Sequence, residues 1–175
     1  MSTASPDAVA TRGPVRVVGT GLLGTSVGLG LRALGVDVVL ADPSRTTLAL
    51  ACDVGAGRPA AAGDEPALVV VAAPPDVAAE VVAAELTAHP DAVVTDVASV
   101  KGAVLAELAA AGADLTRYVG SHPMAGSERT GPTAARPDLF AGRPWVVVDS
   151  GSSTPEALLA VRSLAVDLGA SPARL

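Results

Sequence analysis

The chain has 175 residues, 50% of them hydrophobic, 2% aromatic and 17% charged, with a net charge of −6 and a mean hydropathy of +0.47. That length suits one domain with one core, and the hydrophobicity excludes disorder, which needs few apolar residues and much charge. An acidic chain is a poor partner for nucleic acid or an anionic membrane. The longest uncharged stretch near the front, Val17 to Leu31, carries five glycines and is too short to span a bilayer. Residues 1–12 show no secretory signal, and the single cysteine, Cys52, makes neither an internal disulfide nor a multi-cysteine zinc site. The expectation is a soluble, cytoplasmic domain over 14–175 behind a disordered tail at 1–13.

Taken in order, the elements alternate. Val15 to Val18 is a β-branched run that stops at Gly19, and Leu22 to Leu34 suits a helix closed by Gly35. A second strand is expected over Asp37 to Ala41 and a helix over Ser44 to Cys52, with Ser44 as N-cap. Ala56 to Glu65 reads as a loop with room for a short edge strand. Ala67 to Ala72 is continuously apolar, as a strand buried on both faces requires, and Pro74-Pro75 ends it. A helix over Asp76 to Ala88, a strand over Ala92 to Thr95 and a helix over Ser99 to Ala111 follow. Tyr118 to Gly120 makes a short strand, Ser121 to Pro144 reads as irregular, and Trp145 to Val148 is a strand. Pro155 to Leu168 is helical and Ala170 to Leu175 extended. Strands separated by single helices imply right-handed crossovers and a Rossmann-like, doubly wound, mostly parallel sheet with helices on both faces.

The first strand–helix turn reads Gly19-Thr20-Gly21-Leu22-Leu23-Gly24, the G-x-G-x-x-G spacing of a dinucleotide site. Its glycines permit a tight turn, close approach to a diphosphate and close helix–strand packing, while the helix N-terminus offers free N–H groups. Asp42 stands 21 residues beyond Gly21, at the end of the second strand. A carboxylate there accepts ribose hydroxyls and repels a 2′-phosphate, which favours NAD over NADP. Arg45, close by, leaves some room for a phosphate. Ala73 and Pro74 are expected at the sheet's carboxyl edge, on the nicotinamide side.

Two further segments fall at strand ends on that edge: Asp96-Val97-Ala98-Ser99-Val100-Lys101 and Ser121-His122-Pro123-Met124-Ala125-Gly126-Ser127-Glu128. A neutral imidazole at His122 suits a proton acceptor for a substrate hydroxyl. Ser99 can hold that hydroxyl, cap a helix, or do both. Asp96 either orients a neighbour or closes a strand, Lys101 reads as a surface lysine of a first helical turn, and His89, in its Ala-His-Pro-Asp turn, reads as structural.

Together, Gly19 to Ser26 (G-x-G-L-x-G-x-S), Asp96 to Lys101 (D-V-A-S-V-K) and His122 to Glu128 (H-P-M-A-G-S-E) resemble prephenate dehydrogenase and its relative arogenate dehydrogenase. Gly131, Leu139-Phe140 and Trp145-Val146-Val147 fit the same pattern, so the resemblance covers about Val15 to Leu175. It implies NAD-dependent oxidative decarboxylation of prephenate to 4-hydroxyphenylpyruvate in tyrosine biosynthesis. His122 would accept the proton of the ring C4 hydroxyl as hydride passes to nicotinamide, and the ring carboxylate would leave as carbon dioxide, a loss driven by the ring becoming aromatic. Ser99 would hold the hydroxyl and orient His122. Glu128 matches a position implicated in an ion pair near the site entrance, or is a solvated loop glutamate. The family continues into a helical C-terminal domain that supplies the dimer interface and the cations for the substrate's carboxylates. That domain and interface are expected to be absent here, so this chain alone is expected to bind NAD and turn over prephenate poorly or not at all. A non-catalytic NAD-binding module is the alternative of a different class.

Overall fold

The computed structural model describes residues 8–175. Among these residues, five α-helices and eight strands follow one another: β1 (Val15–Val18), α1 (Leu22–Ala33), β2 (Val38–Ala41), α2 (Arg45–Asp53), β3 (Arg58–Pro59), β4 (Leu68–Val71), α3 (Ala78–Ala88), β5 (Val93–Asp96), α4 (Lys101–Ala110), β6 (Tyr118–Pro123), β7 (Pro144–Val148), α5 (Pro155–Asp167) and β8 (Ser171–Arg174). They form one sheet in the order β3-β2-β1-β4-β5-β6-β7-β8. From β3 to β6 every pairing is parallel. β7 runs antiparallel to β6, and β8 parallel to β7. The doubly wound, mostly parallel sheet expected from the alternation is the one observed.

The alternation of side chains along each strand feeds two cores. On one face, Val15 and Val17, Val38 and Leu40, and Leu68 and Val70 meet Val27 and Leu31 of α1, Ala51 of α2, and Val161 and Leu164 of α5. On the other, Val69, Val71 and Val94 meet Ala79 and Val82 of α3 and Val104 and Leu108 of α4. Burial on both faces is why β4 reads as an unbroken apolar run. The few aromatic residues are spent internally: Phe140 and Trp145, both buried, pack with centroids 5.0 Å apart and planes tilted by 53°.

The structure departs from expectation in several places, mostly where a remote partner decides. β6 does not stop at Gly120. Ser121, His122 and Pro123 pair with Val147, Val146 and Trp145, so His122 sits within a strand, not in a turn. α4 begins at Lys101, and its N-cap position, Val100, makes no side-chain cap bond. Ser99 therefore does not cap that helix. Ser44 does cap α2, accepting from the Thr47 N–H at 3.2 Å, and the hidden edge strand exists as two residues, β3. Of the tail expected over 1–13, residues 1–7 lie outside the described residues. Thr11 is held: its N–H and hydroxyl donate to Asp167 of α5 at 2.7 and 2.6 Å.

Candidate active site at the carboxyl edge of the sheet

The chain leaves β1 and β4, neighbours in the sheet, in opposite directions across it, toward β2 and toward β5. That reversal opens a crevice at the carboxyl edge, where ligands of open α/β sheets bind. A cavity of about 560 Å³ lies there, lined by Gly19, Gly21, Leu22, Leu23, Asp42, Ala73 and Pro74 together with Thr130 and Gly131 from the β6–β7 connection. All but one of the residues expected to hold a cofactor thus share one cavity wall. Gly24 lies just beneath it.

The glycines differ in what demands them. Gly19 has φ +95°, and a Cβ there would stand 2.4 Å from the Ala72 carbonyl oxygen. At Gly24 a Cβ would fall 1.9 Å from the Gly19 carbonyl oxygen. Both are required by the protein's own backbone. Gly21 is different: its φ is −74° and a Cβ would meet nothing within 4 Å. Its missing side chain serves only the open cavity. α1 begins there with no side-chain cap and no acidic residue in its first turn. The first N–H groups of the helix have no intrahelical partner, so donors and positive dipole face the cavity, which suits a diphosphate.

Asp42 braces this turn as well as facing the cavity. Its Oδ2 accepts from the Thr20 N–H at 2.7 Å and the Thr20 hydroxyl at 2.9 Å, and its Oδ1 accepts from the Ser44 N–H at 2.8 Å. Three of roughly four acceptor sites of a carboxylate are thereby taken. The turn is held from the α1 side as well, since the Thr25 hydroxyl donates to the Thr20 carbonyl at 2.9 Å. Ser26 accepts from the Arg136 N–H at 3.1 Å, which fastens the β6–β7 connection to α1 and accounts for the way Thr130 and Gly131 reach the cavity. Neither the Thr20 nor the Ser26 role was signalled by spacing, because both partners are remote in sequence.

Along the same edge, β5 and β6 carry the second set of residues. His122 lies on β6, two positions beyond Gly120, which pairs with Asp96. Its Nδ1 is buried with no hydrogen-bond partner. Ser99 is exposed on the β5–α4 connection and Glu128 is exposed on the β6–β7 connection. Among the described residues, neither side chain makes a hydrogen bond, and none links either to His122. His89, by contrast, lies 3.4 Å from Glu85 Oε2 at the end of α3, away from this edge.

Lys101 is not a surface lysine. Its ammonium donates to the carboxylate of Asp96, which is fully buried. The Tyr118 hydroxyl donates to the same carboxylate at 2.6 Å and the Ala98 N–H at 3.1 Å, while the Ser121 hydroxyl donates to the Asp96 carbonyl at 3.0 Å. Burial pushes the Lys101 ammonium below its ordinary value against the pull of Asp96. Burial, then the Asp96 charge, push the Tyr118 hydroxyl well above its ordinary value.

The chain matches the family described as prephenate dehydrogenase, nucleotide-binding domain, over residues 27–173. That match starts just beyond the glycine turn, whose case rests on its geometry. A probable prephenate dehydrogenase, NovF, from Streptomyces niveus is 42% identical over 156 residues, 89% of this chain and 43% of that protein. Among solved structures, prephenate dehydrogenase from Aquifex aeolicus, in complex with hydroxyphenyl propionate and NAD+, superposes with a TM-score of 0.83 at 25% identity, covering 92% of this chain and 59% of that one. Arogenate dehydrogenase from Synechocystis gives 0.82 at 26%, with 92% and 59% covered. This chain therefore spans less than half the length of its curated relative and about three-fifths of these structures.

Proposed function

The chain belongs to the prephenate dehydrogenase family, whose nucleotide-binding domain it matches, and from that premise we propose that it serves the NAD-dependent oxidative decarboxylation of prephenate to 4-hydroxyphenylpyruvate, a step of tyrosine biosynthesis. Arogenate is the alternative substrate. The observation that carries this is one sheet edge bearing both a cradle shaped for a dinucleotide and an imidazole with an unpartnered buried nitrogen.

Gly19, Gly21, Leu22, Leu23 and Gly24 would hold the diphosphate of NAD on the open N-terminus of α1, and Asp42 would receive a ribose hydroxyl on its remaining acceptor site. Ala73 and Pro74 would wall the nicotinamide side. Bound there, nicotinamide supplies the hydride acceptor. His122 accepts the proton of the substrate hydroxyl through an imidazole nitrogen, Ser99 holds the same hydroxyl, and Glu128 stands at the mouth of the site.

The test is NADH formation by the protein with prephenate and with arogenate, using NAD and then NADP. General-base help is typically worth about 10²–10⁴ in rate, so His122→Asn is expected to lower kcat by that range while NAD affinity stays unchanged. Normal turnover in that variant would refute the role of His122. NADH formation from either substrate that His122→Asn lowers would exclude a non-catalytic binding module.

A further inference from the structure

The buried cluster around Asp96 has no part in the chemistry just described, yet it joins the two segments that carry it. We propose that Asp96, with Lys101 and Tyr118, is a positioning unit that sets Ser99 against His122; this rests on the proton-acceptor and hydroxyl-holding roles given to those two residues. Asp96 Oδ2 accepts from the Ala98 N–H and from Lys101. One oxygen therefore clamps both sides of the exposed pair Ser99–Val100, a bend with no helix cap of its own. Asp96 Oδ1 accepts from Tyr118, four residues before His122 on β6, which by strand alternation faces the same side of the sheet.

The fit is close. A Cβ on Gly120 would stand 3.1 Å from both Lys101 Cδ and the Tyr118 hydroxyl oxygen, so the bare backbone between Tyr118 and His122 is what admits the lysine stem. Burying an ion pair is a poor way to gain stability, because desolvation opposes the Coulomb attraction. Apolar side chains already fill the adjoining core of Val104, Leu108 and Val94. What the cluster adds is a fixed distance between the β5–α4 connection and the end of β6, which are otherwise joined through β5–β6 pairing and the Ser121 hydroxyl.

A double-mutant cycle tests it. Tyr118→Phe keeps the ring and deletes one oxygen, and thermal unfolding followed by the lone tryptophan, Trp145, confirms that the fold is retained. Misplacement of a catalytic group by about 1 Å costs on the order of 10²-fold, so Tyr118→Phe is expected to lower kcat roughly tenfold or more, with the KM for NAD unchanged. In a Ser99→Ala background the same substitution is expected to have no further effect. Lys101→Arg should retain more activity than Lys101→Met. Equal losses from Tyr118→Phe in both backgrounds, or no loss in either, would overturn the positioning role. If Ser99→Ala itself leaves kcat intact, the role of Ser99 fails first and the positioning unit with it. A second readout needs no turnover. With only two histidines in the chain, the His122 ring proton resonance can be assigned by replacing His89. It should move on Tyr118→Phe alone and stay put when Ser99 is already alanine; identical movement in both backgrounds would again overturn the proposal.

Discussion

The glycine turn after β1 and the clamp between β5 and β6 lie on the same sheet edge and are built on opposite principles. The turn works by omission: no Cβ at Gly19, Gly21 or Gly24, no cap on α1, and a cavity left open in front. The clamp works by filling, with a buried carboxylate, an ammonium and a phenol closing on one another. A site that must receive a large ligand keeps its own donors unsatisfied. A site that must hold two side chains at a set separation satisfies everything beneath them.

The contrast breaks first at the turn. Gly24→Ala would drive a methyl to within 1.9 Å of the Gly19 carbonyl oxygen, and overpacking against rigid backbone should cost about 3 kcal/mol or more. Denaturant unfolding checks this. Stability indistinguishable from that of the parent chain would show that the turn is looser than described.

Titration sharpens the other side. Tyr118, the single tyrosine, has its hydroxyl raised well above its ordinary value of 10.0, first by burial and then by Asp96. Below that value both folded and unfolded chains hold the proton, and the contribution to stability is whole. Above it the unfolded chain releases the proton while the folded chain keeps it, so stability falls as pH rises. Tyrosinate absorbance should therefore appear together with unfolding, and Tyr118→Phe should remove this share of the alkaline loss. Ionisation near pH 10 in a protein still folded would mean that Tyr118 is not bonded to Asp96 as described.

The smallest stability effect is expected at Gly21. Replacing a glycine N-cap by alanine costs no more than about 1 kcal/mol, because φ there is ordinary and no atom is near. A melting temperature as low as that of Gly24→Ala would erase the distinction between glycines kept for the fold and the glycine kept for the ligand.

The same division explains what the amino-acid order revealed. The glycine turn, Asp42 and the doubly wound sheet were legible because their signals are local: a six-residue spacing, a strand end at a fixed distance, a regular alternation. Lys101 reads as solvated, since a lysine opening a helix usually is. Its burial depends on Gly120 having no side chain and on Asp96 and Tyr118 converging from two strands. A strand read from the residues alone ends at Gly120, because the residues that extend β6, Trp145 to Val147, pair from across a 20-residue connection. Ser99 reads as an N-cap, but α4 starts one residue too late for it: the cap position falls on Val100, which makes no side-chain cap bond. Remote partners settle Lys101 and the end of β6, and neither leaves a local trace.

The cradle for a dinucleotide is tested most directly by calorimetric titration of NAD into this 175-residue chain and into its Gly21→Ala variant. We expect saturable NAD binding to the parent and at least tenfold weaker binding to the variant, at nearly equal melting temperatures, because the added methyl occupies space that only the ligand needs. Equal affinities, or no heat from the parent chain, would contradict the account.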